Sequence, residues 1–414
     1  MRSALPPKSP TVWFNCAAAI RMGLKSLLEK SGSNDYRMQV VSDLGDIEAA
    51  DWNRLAGAPG AQQPFLRHEF LSALERSRCV GDGTGWLPQH LVLRDRGGTL
   101  VAAAPLYAKL HSYGEYVFDW AWADAYQRHG LRYYPKLLSA IPFTPVGGPR
   151  LLAIDDPARR SLAERLVQLA RNSEVSSLHV LFPPEPEAQV LTGCGMMLRR
   201  GVQFHWHNQD FANFVEFLGT LSQPKRKKIR AERRKVQDAG VTIRRIAGAD
   251  IRAADWAFFT RCYNATYAAH HSTPYLNRAF FETIGEQLPE HLMLTVAERD
   301  GRRIASSLIV IDHDRLYGRY WGALDYVPCL HFEVAYYQTI EAAIELKRPL
   351  IEGGAQGEHK MARGFAPTPT VSAHWLAEPA FAEAVDRFLQ REGQVIDGYL
   401  DELKERLPFK DTGG

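Results

Sequence analysis

Residues 91–98 read LVLRDRGG, and about 203 positions later residues 294–301 read LTVAERDG. Four further pairs follow in the same order with small drift: 101–104 (VAAA) with 304–307 (IASS), 113–116 (YGEY) with 317–320 (YGRY), 131–134 (LRYY) with 334–337 (VAYY), and 147–148 (GG) with 353–354 (GG). Single tyrosine or glycine matches recur by chance, but five colinear matches are hard to obtain that way. The pattern predicts that two similar domains follow each other along the chain.

The length and composition agree with this duplication. A chain of 414 residues with 45% hydrophobic residues is long enough for two or three domains with cores of their own. We expect an N-terminal extension over residues 1–37, disordered rather than a targeting segment, and a tail over residues 403–414. Between them we predict an N-terminal domain (38–215), a basic connecting helix (216–240) and a C-terminal domain (241–402).

The cysteine pattern and hydropathy exclude several classes of protein. The five cysteines are odd in number, scattered and never spaced as CxxC, which argues against a disulfide framework and a zinc site. We therefore predict no metal site and a reducing, cytoplasmic location. No run approaches 18 apolar residues, so we expect no transmembrane segment.

The periodicity predicts a mixed α/β (α+β) order in each half: paired helices, an antiparallel hairpin with a further strand, a helix and a strand. Strands are expected at 39–42, 89–94, 100–108, 116–120, 143–146 and 178–182, and again at 241–246, 292–298, 304–311, 315–322, 350–352 and 371–375. Helices are expected at 47–55, 68–76, 134–140 and 157–172, and again at 253–267, 278–286, 333–346 and 379–400. This order differs from the βαβ alternation of a dinucleotide-binding sheet, and no GxGxxG or GxxxxGK[ST] motif occurs.

A basic run lies between the halves. Residues 225–235 hold eight basic side chains and one acid, Glu232, in a segment that Ser222, Pro224 and Gly240 delimit as a helix. Its candidate partners are a tRNA backbone, an acidic carrier protein, an anionic membrane surface or the phosphates of a nucleotide-linked substrate. The plainer alternative is a strut that pairs with acids elsewhere in the chain. The residues proposed to bind a partner are Lys225, Arg226, Arg230, Arg233 and Arg234.

A family resemblance rests on this element order and on particular strings. The duplicated order resembles two GNAT acyltransferase folds in tandem, the architecture of the Fem aminoacyl-transferases, over about residues 38–400. The strings most similar to the FemAB-like group named for peptidoglycan biosynthesis or recognition are 112–119 (SYGEYVFD), 122–126 (WADAY), 143–146 (FTPV), 225–235 and 354–360 (GAQGEHK). The resemblance implies tandem GNAT-like domains, each with a mixed, largely antiparallel sheet flanked by helices.

The chain departs from the superfamily at the loop that binds acetyl-CoA. Acetyl-CoA-dependent members usually place a glycine-containing loop before the central helix, where backbone N–H groups hold the pyrophosphate. Residues 325–332 read DYVPCLHF, with no glycine and with a proline that removes one donor. We expect no tightly bound cofactor, and the acyl donor stays open among acyl-CoA, acyl carrier protein and aminoacyl-tRNA.

Residues 352–364 form the strongest candidate site. This glycine-rich stretch after a strand holds two carboxylates, an amide, a histidine, a lysine and an arginine. Acyl transfer to an amine needs a base for the ammonium proton and donors for the oxyanion. Glu358 or His359 would serve as the base, and Lys360 and Arg363 would hold an anionic group. Glu352, Gly354 and Gln356 complete the predicted substrate-binding residues of this stretch.

A second candidate lies in the first half. Glu115 and Asp119 stand at even spacing on a predicted strand, so both would face one side, near Asp124, and bind a substrate ammonium. Solvated carboxylates at the rim of an aromatic core are an equally good interpretation. In the second half, Tyr320 is a candidate proton donor, although an aromatic stripe is more often core.

The sequence therefore predicts an acyltransferase that transfers an N-acyl or aminoacyl group to the amine of a small-molecule acceptor, of the cell envelope or otherwise. Attack by the amine would be direct, without a covalent enzyme intermediate, as the family resemblance implies. The alternative is a non-catalytic recognition module that binds a cell-wall precursor or an acidic partner.

Overall fold

The computed structural model describes residues 36–58, 60–354 and 357–410. Residues 1–35 and 411–414, and with them most of the predicted extension and the end of the predicted tail, lie outside the described residues. Within the described part, no helix is both long and apolar enough to cross a membrane.

The first half contains nine strands and six helices among the described residues. The strands are β1 (Arg37–Val41), β2 (Trp86–Pro88), β3 (His90–Arg94), β4 (Leu100–Ala104), β5 (Tyr107–Lys109), β6 (Lys136–Ser139), β7 (Leu152–Ala153), β8 (Ser177–Leu181) and β9 (Met197–His207). The helices are α1 (Ala49–Ala56), α2 (His68–Arg76), α3 (Trp120–Arg128), α4 (Asp156–Asn172), α5 (Glu185–Gly193) and α6 (Phe214–Thr220). Asp155 caps α4 by accepting from the Ala158 N–H, as an acid before a first turn is expected to do.

The second half begins with the basic helix α7 (Gln223–Asp238), which keeps within the limits predicted from Ser222 and Gly240, although the Ser222 side chain makes no capping hydrogen bond. Residues 216–220 of the predicted connecting helix belong to α6 instead. The strands are β10 (Val241–Ala247), β11 (Leu292–Arg299), β12 (Arg302–Ile311), β13 (Arg315–Ala323), β14 (Leu350–Glu352) and β15 (Ala366–Leu376). The remaining helices are α8 (Ala253–Ala269), α9 (Arg278–Gln287), α10 and α11 (Pro379–Glu405). Helix α10 runs through three segments, Leu330–Phe332, Glu333–Tyr337 and Gln338–Glu345, of which the middle one is π-helical.

The two halves repeat one sheet pattern. In each half, one strand pairs with an antiparallel hairpin. In the first half these strands are β1-β3-β4, which form a four-stranded sheet with β7. In the second half they are β10-β11-β12, which lie in the other sheet. A parallel pair follows in each half, β6 with β8 and β13 with β14. This recurrence accounts for the matched hairpins at 91–104 and 294–307. The pairs 113–116 with 317–320 and 131–134 with 334–337 lie in unlike local structure.

The last strand of each half pairs with the other half. β9 lies antiparallel to β14, β15 lies antiparallel to β8, and β9 and β15 pair with each other. The result is an eleven-stranded sheet, ordered β10-β11-β12-β13-β14-β9-β15-β8-β6-β5-β2. The fold is thus mixed α/β, with largely antiparallel sheets flanked by helices, as predicted.

Three predicted elements of the first half are wrong. Residues 116–120 are not a strand, because Gly114 (φ 81°) and Tyr116 (φ 65°) are left-handed and break the extended path before α3 begins. Residues 134–140 form strand β6 instead of a helix, since Leu137 and Leu138 are both buried between β5 and β8. Residues 143–146 belong to a connection that is neither helix nor strand.

The core crosses the boundary between the halves. The ring of Phe70 in α2 lies 5.4 Å from that of Phe280 in α9, and Phe65 lies 4.8 Å from Tyr317 in β13. These residues belong to one continuous buried cluster drawn from both halves. The seam between the halves is therefore packed like an interior, and the open spaces beside it are local.

Candidate active site

A pocket opens where β13 and β14 diverge. Their parallel pairing ends at Tyr317 opposite Glu352, after which β13 continues for six more residues while β14 stops. The space between them, closed on one side by α10, is a cavity of about 170 Å³. Its lining comprises Ser307, Leu308, Gly318, Arg319, Tyr320, Trp321, His331, Ala335, Tyr336, Thr339, Ile351, Gly353, Lys360 and Phe365.

Arg319 gives this pocket its charge. The residue is only 8% exposed, and its Nε and Nη2 are buried without a hydrogen-bond partner among the described residues. Its guanidinium lies 5.9 Å and 5.8 Å from the ring centroids of Phe65 and Tyr317, which shield it from water. A buried guanidinium with unfilled N–H groups is a ready anion-binding group. Arg319 was not predicted from the sequence, where its signal was a lone cation inside the aromatic run YGRYW.

Lys360 adds a second cation from the opposite wall. It is 6% exposed, and its Nζ donates to the Gly353 carbonyl. Burial, and then the charge of Arg319, lowers the pKa of Lys360 to about 8. No carboxylate lines this pocket within the described residues. The predicted anion-binding role of Lys360 therefore has a suitable location.

His331 and Tyr336 line the pocket, whereas His359 is exposed and lies outside the lining. Nε2 of His359 is 3.1 Å from the Tyr336 hydroxyl, which connects it to the pocket wall. Burial, Lys360 and Arg363 lower the pKa of His359, so its imidazole is neutral near pH 7 and able to accept a proton. His331 stacks on Trp321 with ring centroids 4.7 Å apart, and burial lowers its pKa to about 4.

Tyr320 lines the pocket, but its hydroxyl is already engaged. The O–H donates to the Phe143 carbonyl at 3.2 Å, and the ring packs against Tyr263 and Phe281. Burial raises the pKa of Tyr320 well above its usual value. This placement favours the core interpretation over a proton donor.

Arg363 lies behind the pocket wall instead of facing it. Both carboxylate oxygens of Glu232 in α7 accept from its Nη2, at 2.9 and 3.0 Å, and its Nη1 donates to the His359 carbonyl. The guanidinium also stacks 3.4 Å from the Phe332 ring, and Arg363 is 2% exposed. Because both Nη groups are used inside the protein and Nε is buried, Arg363 is not placed to hold a substrate anion and instead holds the loop in place.

Glu352 lines a different cavity, a cleft of about 580 Å³ between the halves. Its Oε1 accepts from Arg315 at 2.8 Å; burial raises its pKa, and Arg315 opposes that rise. Gly354 adopts φ 81° and its carbonyl accepts from the Phe204 N–H. Gln356 and the side chain of Glu358 lie outside the described residues.

The first-half candidates do not reach either cavity. Glu115 and Asp119 are buried and pair with Lys136, with Glu115 Oε2 at 2.7 Å from its Nζ. Burial alone would lower the pKa of Lys136, but the two carboxylates outweigh burial and raise it. Asp124 is exposed and pairs with Arg128. The expectation that this trio binds a substrate is corrected: Glu115 and Asp119 do face one side, but what they bind is an internal lysine.

Helix α7 divides its basic residues between two faces. Arg233 pairs with Glu333 and Glu341 of α10, and Arg226 donates to the carbonyls of Gly219 and Leu221. Lys225 is half-buried. The exposed residues, which form no ion pair within the described ranges, are Lys227, Lys228, Arg230, Arg234 and Lys235. The helix is therefore partly an internal strut and partly a free cationic surface.

One grouping of metal-ligand type was not predicted. Donor atoms of Asp312, His313 and Asp314 lie within 4.8 Å of one another. However, both Asp314 oxygens accept from Arg315 at 2.8–2.9 Å, and Nδ1 of His313 bonds to Asp312. Because these internal hydrogen bonds occupy atoms that would bind a metal ion, the three residues are poorly suited to that role.

The comparisons with known proteins agree with the fold. The C-terminal domain of a putative lysylphosphatidylglycerol synthetase from Agrobacterium fabrum superposes with a TM-score of 0.52 at 10% identity, covering 82% of this chain and 95% of that one. FemX (TM-score 0.49, 10% identity, 81% and 98% covered) and a tandem GNAT protein from the clavulanic acid biosynthesis pathway (0.45, 14%, 83% and 99%) are also similar. The chain shares the fold of the first of these domains.

Sequence comparison identifies the family. No curated protein is significantly similar to this chain in sequence. The profile of the FemAB-like family, described as peptidoglycan biosynthesis/recognition, matches residues 43–411. Because this match spans well over half of the 414 residues, the chain belongs to the FemAB-like peptidoglycan biosynthesis/recognition family.

Proposed function

We propose that this protein is an acyltransferase that moves an N-acyl or aminoacyl group to the amine of a cell-envelope precursor or another small-molecule acceptor. The observation that carries the proposal is the pair of buried cations, Arg319 and Lys360, in a pocket that no carboxylate of the described residues lines. Acyl transfer develops negative charge on the carbonyl oxygen, and preorganised donors in a site of low dielectric stabilise it strongly. The family assignment and the fold support the same reaction class.

The residues at hand account for each proton and electron pair. The acceptor nitrogen attacks the acyl carbonyl carbon, a C–N bond forms, and the carbonyl electron pair moves to oxygen beside Lys360 and Arg319. Neutral His359, hydrogen-bonded to Tyr336, takes the proton that the attacking amine loses. The tetrahedral adduct then collapses, the bond from carbonyl carbon to the donor oxygen or sulfur breaks, and the leaving group takes a proton from the imidazolium.

The exposed cations of α7 suggest how the donor docks. Glu232 and Arg233 tie this helix to the loop and to α10, which together form two sides of the pocket. A polyanionic donor bound on the exposed face would lie close to the reacting groups. Acyl-CoA, acyl carrier protein and aminoacyl-tRNA all carry phosphates or acidic side chains, and an anionic membrane surface would bind the same residues.

The test is a mass-spectrometric amide-formation assay. The three donor classes are each offered with a mixture of amine acceptors, including muropeptide precursors. We expect product with wild type, a loss of at least about 100-fold in kcat with Lys360→Met or Arg319→Gln, and unchanged turnover with the exposed control Arg387→Gln on α11.

Two outcomes would overturn the proposal. Turnover that survives both substitutions would mean that the pocket takes no part in the reaction. Binding of a precursor without any product, weakened by the same substitutions, would instead support a recognition module. The donor class is identified by a variant with neutral residues at Lys227, Arg230 and Arg234. Only a donor that docks on α7 should lose affinity for this variant, and its binding to the wild type should weaken as salt is added.

A further inference from the structure

The cleft between the halves is separate from the pocket already described. Ile351 lines the pocket and Glu352 lines the cleft; neighbouring side chains of a strand point to opposite faces, so the two spaces lie on opposite sides of β14. Both halves contribute to the cleft. Gln63 and Gly148 come from the first half, and Asp312, Arg315 and Glu352 come from the second.

Gln63 presents an unfilled hydrogen-bond acceptor in this cleft. Its Nε2 donates to the Gly147 carbonyl at 2.7 Å and to the Tyr317 hydroxyl at 2.9 Å. Because a carbonyl oxygen only accepts, the atom facing Gly147 must be the nitrogen, and the amide orientation is fixed. Oε1 is then buried without a donor among the described residues, although Gln63 is only 8% exposed.

Gly148 makes the room that this oxygen occupies. A β-carbon at Gly148 would lie 2.6 Å from Gln63 Oε1. The residue also adopts φ 153°, a backbone conformation that residues other than glycine rarely adopt. The glycine therefore provides the space in which the free Oε1 acceptor of Gln63 lies.

Glu352 supplies a second acceptor. The residue is 1% exposed; Oε1 accepts from Arg315, whereas Oε2 is buried without a hydrogen-bond partner among the described residues. Burial raises the pKa of this carboxyl and outweighs Arg315, Arg319 and the Gly147 amide, all of which lower it. In the described lining, the two buried polar atoms without a hydrogen-bond partner are therefore both acceptors. A ligand that completes them must donate N–H or O–H groups.

The charge of the lining decides which kind of hydrogen-bond-donating ligand is favoured. Carboxylates come from Glu185, Asp312, Asp314 and Glu352, whereas Arg315 is the one guanidinium in the described lining. Burial lowers the pKa of His205 to about 3, so this histidine adds no positive charge at neutral pH. A phosphate or carboxylate ligand is disfavoured in such a cleft, and an ammonium group is favoured.

We propose that the seam cleft binds an organic ammonium ligand, which donates hydrogen bonds to Gln63 Oε1 and Glu352 Oε2. Its carbon skeleton lies against the apolar part of the lining, Phe182, Pro183, Pro369 and Val371. Asp314 and Asp312 are already bound internally, so they contribute charge instead of coordination. This site is distinct from the anion pocket and does not depend on the proposed acyl transfer.

The test is titration calorimetry of the full chain with 1,4-diaminobutane, its neutral analogue 1,4-butanediol, and MgCl2. We expect saturable binding of the diamine alone. Gln63→Leu and Glu352→Gln should each weaken it by about tenfold or more, and the exposed control Glu383→Gln should not. Thermal unfolding of each variant checks the fold, and if Gln63→Leu does not fold, Glu352→Gln decides.

Four outcomes would overturn the proposal: no diamine binding at millimolar concentration, equal binding of the diol, binding of Mg²⁺ without the diamine, or diamine binding that neither substitution weakens. Lys360→Met separates this question from the proposed catalysis. That variant should bind the diamine as wild type does, whether or not the protein proves to be a transferase.

Discussion

The pocket residues set the expected pH dependence at the residue scale. Transfer needs neutral His359 and charged Lys360. The pKa of His359 is lowered, so the acid limb of the rate profile should lie below pH 6.5, and the alkaline limb should lie near pH 8, where Lys360 loses its proton. Lys360→Arg keeps the charge at high pH and should remove the alkaline limb, whatever its effect on the maximum. A profile of kcat/KM against pH measures this, and an alkaline limb that persists in the arginine variant contradicts it.

Lys136 offers a residue-scale prediction about stability. It is fully buried between Glu115 and Asp119, and substitution by methionine leaves two carboxylates without their partner. We expect Lys136→Met to lower the free energy of unfolding by about 3–5 kcal/mol. Arg128→Gln, which removes an exposed pair with Asp124, should cost less than about 1 kcal/mol. Urea unfolding followed by tryptophan fluorescence compares the two, and equal losses would contradict the internal role of Lys136.

At the scale of elements, α7 should act on the pocket through one carboxylate. Glu232 holds Arg363, which in turn fixes the His359 carbonyl, and Tyr337 of α10 donates to the same carboxylate. Glu232→Gln should reduce stability by about 1–3 kcal/mol and loosen the 3₁₀ helix Glu358–Arg363. Hydrogen exchange of that segment should quicken in Glu232→Gln and stay unchanged in the exposed control Lys227→Gln. Unchanged exchange in both variants would mean that the loop is held by other contacts.

The elements also show what sequence can predict here. The two hairpins were predicted because a charged turn joins two apolar runs, and α2 was placed at its observed bounds. The predicted strand 100–108, however, divides into β4 and β5, which lie in different sheets. Strand β9 was missed because Met197–His207 pairs on both edges with strands of the second half and carries no regular alternation. The same holds for the candidate site. Lys360 was predicted from a dense polar loop, whereas Arg319 is distinguished by burial and by N–H groups without partners, which only the folded structure shows.

At the scale of the whole molecule, the strand exchange makes the halves interdependent. β9 has both of its partners, β14 and β15, in the second half, and β8 loses one partner when β15 is absent. The contacts of Phe65 with Tyr317 and Phe70 with Phe280 also cross the seam. A chain cut before α7 would therefore expose strand edges and apolar surface.

We accordingly expect the fragment of residues 36–221 to show no cooperative urea transition, and the full chain to unfold in a single step. Fluorescence and circular dichroism should report the same midpoint for the full chain, because one shared core and one sheet hold both halves. Mixing fragments 36–221 and 222–410 should restore a cooperative transition, since the missing strand partners are then supplied in trans. An isolated first fragment with a cooperative transition would contradict this, because β9 would then need neither β14 nor β15 to fold.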